Sequence, residues 1–123
     1  MATKIMVVDD SAVVRQQVTW ALVDAGFAVV DAVDGQDAAN QIASTPDIGL
    51  LLCDVNMPRM NGLELLEKLA GTSRQPPFPV LMLTTDGHPE LIARAKVLGA
   101  KGWMVKPVRP EVLVAAVKKL TGG

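Results

Sequence analysis

Five short apolar runs alternate with amphipathic stretches, and that alternation limits this chain most. KIMVV (4–8) is short, β-branched and bounded by acids, which predicts a buried strand. FAVVDAV (27–33), IGLLLC (48–53), PVLMLTT (79–85) and KGWMV (101–105) read the same way. Pro79 stands at a first strand position, where a missing donor is tolerated. Between the runs the apolar period changes. Val14, Val18, Leu22 and Ala25 fall at helical spacing over 11–25, and Gly26 follows as a stop. Asp34 and Gly35 open a second helix, with Ala38, Ala39 and Ile42 inward and an end near Pro46. Asn61 and Glu64 form a weak variant of a capping box ahead of Leu63, Leu66 and Leu69 or Ala70, and Gly71 ends that helix. Pro89 suits a first turn before Leu91, Ala95 and Leu98, with Gly99 as the stop. Pro110 opens a last helix with Leu113, Val117 and Leu120 inward. TSRQPPFP (72–79) is a loop, too short for a domain linker.

Strands alternating with helices predict an α/β fold, a parallel sheet with helices on both faces and right-handed crossovers. The length, 123 residues, is enough for one domain, 1–123, with a real core. A formal net charge of −1 argues against nucleic acid as a partner. The single cysteine, Cys53, excludes an internal disulfide and any multi-cysteine metal site, and it fits a reducing cytosol. MATKIMVVDD lacks the apolar region and cleavage site of a signal peptide, and no apolar run approaches a membrane span. The expectation is a soluble cytoplasmic domain without membrane insertion. Charge is divided along the chain. Residues 1–54 hold eight acids and two bases, whereas 88–123 hold seven bases and two acids. Most of these are solvated helix faces, but the basic end fits an acidic partner surface.

In parallel sheets ligands bind beyond the carboxyl ends of the strands, where the strand order reverses. Asp9 and Asp10 follow the first strand and Asp54 the third. Thr84 and Thr85 end the fourth, and Lys106 and Pro107 follow the fifth. Three carboxylates at one edge repel one another, and a hard divalent cation relieves that repulsion. A lysine and a threonine hydroxyl opposite the cation suit a phosphoryl group. The pattern points to a Mg²⁺-dependent site with Asp54 as nucleophile toward phosphorus. Taken singly, each residue has a blander role. Asp9 or Asp10 would cap a helix, Asn56 would sit in a turn, Thr84 would be a strand residue and Trp103 core. Cys53 reads as a buried filler and His88 as a loop or cap residue. Trp20 lies off the first helix's apolar stripe and should be partly exposed.

VVDDS (7–11), CDVNMPRMNG (53–62), MLTTDG (82–87) and WMVKP (103–107) stand in that order on matching strand ends. Together they make the chain resemble a CheY-like response-regulator receiver domain of two-component signalling, over essentially its whole length. The resemblance implies a flavodoxin-like (βα)5 fold with a five-stranded parallel sheet of order 2-1-3-4-5. It implies that Asp54 is the phosphoacceptor, that Asp10 and Asp54 ligate Mg²⁺ (Mn²⁺ able to substitute), and that Asn56 adds a backbone carbonyl. Asp9 joins the metal pocket, often through water. Thr84 donates to the phosphoryl group, Lys106 pairs with it, and the Lys106–Pro107 peptide is cis. Trp103 stands at the position of the switch aromatic that moves inward with Thr84. The implied donor is a histidine kinase or phosphotransfer domain. The implied output is a protein target on the surface of helix 4, strand 5 and helix 5. Such a domain catalyses its own phosphorylation and dephosphorylation and is not a turnover enzyme.

The chain departs from the usual pattern in places. Position 103 is Trp rather than Tyr or Phe, so the inward position is more crowded. Thr85 replaces a smaller residue and narrows access to the phosphoryl group. Asn56 and Asp86 occupy the positions that tune dephosphorylation. An amide paired with an acid resembles the fast-cycling chemotaxis members, although Thr85 acts the other way. A haloacid-dehalogenase phosphatase would place DxD after the first strand, where this chain has adjacent Asp9 and Asp10. A flavin carrier would want a phosphate loop there, and VVDDS would repel phosphate. Ending at LTGG (120–123), the chain reads as a stand-alone, chemotaxis-like regulator. The alternatives are a receiver excised from a larger regulator or hybrid kinase, or a phosphate sink or scaffold in a phosphorelay.

Overall fold

In the computed structural model the described residues are 3–45, 47–55, 62–70, 78–84, 89–106 and 109–122. In chain order they form β1 (Lys4–Val8), α1 (Ala12–Asp24), β2 (Ala28–Ala32), α2 (Gly35–Ser44) and β3 (Ile48–Asp54). Then come α3 (Gly62–Ala70), β4 (Val80–Thr84), α4 (Pro89–Val97), β5 (Gly102–Val105) and α5 (Pro110–Thr121). All strand pairs are parallel, and the order is β2-β1-β3-β4-β5. The chain leaves β1 for one edge, returns to β3 and then builds toward the other edge. The reversal therefore lies between β1 and β3.

Each strand serves two cores. Ile5, Val7, Leu50, Leu52, Leu81 and Leu83 face Val18 and Leu22 of α1 and Leu113 and Val117 of α5. Met6, Val8, Leu51, Cys53, Val80 and Met82 face Ala38 of α2, Leu65 and Leu66 of α3 and Ala95 of α4. Cover on both faces explains why the central strands are continuously apolar rather than alternating. The edge strands β2 and β5 are only partly covered, and their burial is correspondingly lower.

The inward residues of α1, α2, α4 and α5 are those expected from spacing. In α3 the structure adds one, Leu65, wholly buried beside Leu63 and Leu66. A core-facing helix carries a stripe at least about 100° wide, broader than a single row of every third or fourth residue. Strand bounds also shift slightly. β2 loses Phe27 and Val33, β4 begins at Val80, and β5 begins at Gly102, while β3 extends to include Asp54. Ser11, not Asp9 or Asp10, caps α1, its hydroxyl accepting from the Val14 amide at 3.3 Å. Asp34 caps α2 as expected, accepting from the Asp37 amide at 2.8 Å. Gly26 and Gly99 end their helices with φ of 98° and 103°, a region side chains disfavour.

One irregularity sets the register of the centre. Lys4 pairs with Ile48, but Ile5 pairs with Leu50, so Gly49 is an extra residue in β3. A Cβ at Gly49 would lie 2.6 Å from Thr3 Cγ2, which favours glycine there. Beyond the bulge the pairing is regular to Val8 opposite Cys53. Asp9 and Asp54 are thus the next residues on neighbouring strands.

The expected cap at Asn61, the helix stops at Pro46 and Gly71, and most of the 72–79 loop lie outside the described residues.

Candidate phosphoryl-acceptor site

The ladder continues one residue past several strands and holds the site rigidly. The Asp9 amide donates to the Ala32 carbonyl at 3.2 Å, the Val55 amide to Leu83 at 3.0 Å, and the Lys106 amide to Thr84 at 2.7 Å. Asp54 and Thr84 are accordingly the last residues of their strands rather than the first beyond them. Asp9, Asp54 and Thr84 are buried, whereas Asp10 is exposed.

Carboxylate oxygens of Asp9, Asp10 and Asp54 lie within 4.8 Å of one another. Lys106 enters from β5. Its Nζ is 2.6 Å from Asp9 Oδ2 and 3.4 Å from Asp54 Oδ2. The Asp9 side chain is held at both oxygens, because Oδ1 also accepts from the Ser11 amide at 2.9 Å. Lys106 thus pairs with two of the three clustered carboxylates. This excess of negative charge, partly buried and built from oxygen donors, fits a hard divalent cation. Asp10, open to solvent, leaves room for the waters such a cation retains.

Next to the nucleophile candidate, Cys53 is buried in the core. Burial pushes its thiol well above the usual range, and the charges of Asp54 and Asp9 push it further. It is a neutral filler, as its apolar setting implied. Trp103 packs partly buried against the core cluster shared by Met82 and Leu51. Its indole Nε1 is buried without a hydrogen-bond partner among the described residues. Trp20 is 64 % exposed, as expected for a residue off the α1 stripe.

The structure therefore brings together Asp9, Asp10, Asp54 and Lys106, with Thr84 at the neighbouring strand end. Asn56, Thr85, Asp86, His88 and Pro107, with the Lys106–Pro107 peptide, lie outside the described residues. Sequence reasoning passed over Arg15, whose Nη1 donates to the Asp9 carbonyl at 2.6 Å. DDSAVVR places Arg15 one turn past the Ser11 cap, but nothing in the spacing marks a backbone carbonyl as its partner.

The family model for the response regulator receiver domain matches residues 5–118. The chain belongs to that family. It is 34% identical over 120 residues to chemotaxis protein CheY1 of Helicobacter pylori, covering 97% of each chain. Its fold is that of chemotaxis protein CheY4 of Vibrio cholerae, with TM-score 0.89, 38% identity and coverage of 98% and 99% of the two chains. A CheX–CheY–BeF3–Mg complex from Borrelia burgdorferi contains a similar chain, with TM-score 0.88, 27% identity and coverage of 95% and 87%. The receiver domain's sheet order and the flavodoxin-like arrangement are those the sequence motifs implied. No helix among the described residues is long and apolar enough to cross a membrane.

Proposed function

We propose that Asp54 accepts a phosphoryl group from a phosphohistidine of a kinase or phosphotransfer protein. The observation that carries this reading is the cluster of Asp9, Asp10 and Asp54 under Lys106, at the point where the strand order reverses. An Asp54 carboxylate oxygen attacks phosphorus in line. The phosphorus–nitrogen bond breaks, the imidazole nitrogen keeps the electron pair, and it then takes up a proton. Water later attacks phosphorus, releasing inorganic phosphate and restoring the carboxylate. Lys106 moves from its carboxylate partners to pair with the phosphoryl oxygens, and the Thr84 hydroxyl donates to them. Asp10 and Asp54, with Asp9 and the Asn56 carbonyl, would hold Mg²⁺, which neutralises charge on the transferring group.

The new group carries about −1.5 to −2 charge. It draws Thr84 toward the site and opens space that Trp103 fills. The indole N–H of Trp103, buried and without a partner among the described residues, supports this, because an unsatisfied buried donor makes its present position costly to keep. The altered surface of α4, β5 and α5 then meets a protein target. Asn56 and Asp86 set the lifetime of the phosphoryl group. The names of the relatives support a chemotaxis role, and the Borrelia complex, which contains Mg²⁺ and CheX, supports both a magnesium site and a partner protein.

Intact mass after incubation with Mg²⁺ and acetyl phosphate tests this. One added phosphoryl group is expected in the wild type, and none without Mg²⁺ or in Asp54→Ala. Should the adduct be too short-lived to weigh, beryllofluoride must change the tryptophan fluorescence. Failure of both sinks the reading.

A further inference from the structure

We infer that Arg15 is a positioning residue for the acid pocket, acting through the peptide that joins Asp9 to Asp10. The inference rests on the metal-binding reading above. Asp9 is already held by its amide, bonded to Ala32, and by both carboxylate oxygens, bonded to Ser11 and Lys106. Its carbonyl is held by the Arg15 guanidinium, whose Nη1 donates at 2.6 Å. That carbonyl belongs to the peptide that leads into Asp10. Turning this peptide plane would swing the Asp10 carboxylate, the exposed member of the cluster, away from Asp9 and Asp54.

Arg15 is itself anchored. Its Nε lies 3.3 Å from Asp31 Oδ2 on β2, an ion pair rather than a directed hydrogen bond. The Arg15 side chain is only 16% exposed, while that of Asp31 is 59% exposed. A charged head group thus reaches from the β2 edge to the reversal point, with its stem covered. A planar guanidinium can serve the carbonyl and the carboxylate at once, which an uncharged stem cannot.

Geometry and charge predict opposite effects on removal. As a bare positive charge near the pocket, Arg15 would repel a cation, and its loss would tighten metal binding. As the clamp on the Asp9–Asp10 peptide, its loss weakens binding. Groups that orient metal ligands from behind typically contribute about 10- to 100-fold in metal affinity.

The test is Mn²⁺ binding to the full chain, read from the electron paramagnetic resonance signal of free Mn²⁺, with no phosphoryl donor present. Arg15→Met keeps the covered stem and removes every donor. It is expected to raise the Mn²⁺ Kd by about 10-fold or more. Arg15→Lys restores a cationic donor and is expected to recover most of the loss, which a packing role would not do. Where Arg15→Met does not fold, Arg15→Leu, which also lacks a donor, carries the same expectation. An unchanged or lower Kd in the donor-deleted variant overturns the inference. Asp10→Asn separates the two readings. Should the wild type and Asp10→Asn bind Mn²⁺ alike, or the wild type not at all, the metal site itself is wrong and the role of Arg15 falls with it. Should the wild type bind, Asp10→Asn fail and Arg15→Met bind normally, only the inference about Arg15 is wrong.

Discussion

The residue beside the candidate nucleophile must stay inert for Asp54 to react alone, and Cys53 meets that need through its surroundings. Its thiol lies in the apolar cluster and next to two carboxylates, so the thiolate is disfavoured. Iodoacetamide at pH 8 should leave the native protein unlabelled and label it fully in denaturant; rapid native labelling would contradict the assigned burial. The same shift has a pH consequence. In the unfolded chain the thiol ionises near about pH 8.5, and in the fold it ionises only well above that. Its contribution to stability is therefore complete below the unfolded value and declines as pH rises through and beyond it. Denaturation midpoints should fall more steeply above pH 8.5 in the wild type than in Cys53→Ala. At this scale the site was largely open to sequence reading, because Asp9, Asp10, Asp54 and Lys106 sit at strand ends in a recognisable order. Arg15 was not, because its partner is a backbone carbonyl, and carbonyls carry no sequence signature.

Among the elements, α3 corrects the sequence reading most. Leu63 and Leu66 were expected inward, and Leu65 joins them with no exposure. Helical spacing alone assigns Leu65 to the flank of the stripe. The broad sheet face formed by Leu51, Cys53 and Met82 receives a wider band of the helix than spacing implies. Leu65→Ala should lower stability by about 2–5 kcal/mol, as for other buried large-to-small changes. Urea denaturation would measure it, and a loss below half the lower bound would place Leu65 at the surface. Strand bounds also shifted by a residue, β2, β4 and β5 shortening while β3 lengthened to take in Asp54. A sequence run records where apolar residues stop, whereas the ladder records where hydrogen bonds stop. At Thr84 and Lys106 the backbone continues pairing after the apolar run has given way to polar side chains.

At the scale of the molecule, the proposed metal site would couple stability to cations. Three clustered carboxylates, two of them paired with Lys106, leave a repulsion that the proposed cation would remove only in the folded state. Mg²⁺ at 100 times its Kd should stabilise the domain by about 2.7 kcal/mol, raising the melting temperature on the order of 10 °C. Asp10→Asn should abolish most of that rise, and an equal rise in the variant would move the cation elsewhere. The sheet order follows from the alternation of elements and the family resemblance together, but the pairing offset inside it could not be read from composition or spacing. That offset has a further meaning. Side chains of a strand point alternately to two sides, so a strand keeps count in twos. Gly49 adds one to the count. Were Gly49 paired in regular register opposite Ile5, Leu50 and Leu52 would trade sides with Leu51 and Cys53, and Asp54 would stand level with Asp10 rather than Asp9. The glycine that makes this parity correction lies five residues before Asp54, roughly 17 Å down the strand. The acidic end of the sheet is thus aligned by an odd number at its opposite end. A related chain lacking that extra residue, with its third strand starting opposite Lys4 as here, would reach the same alignment of acids through a regular ladder.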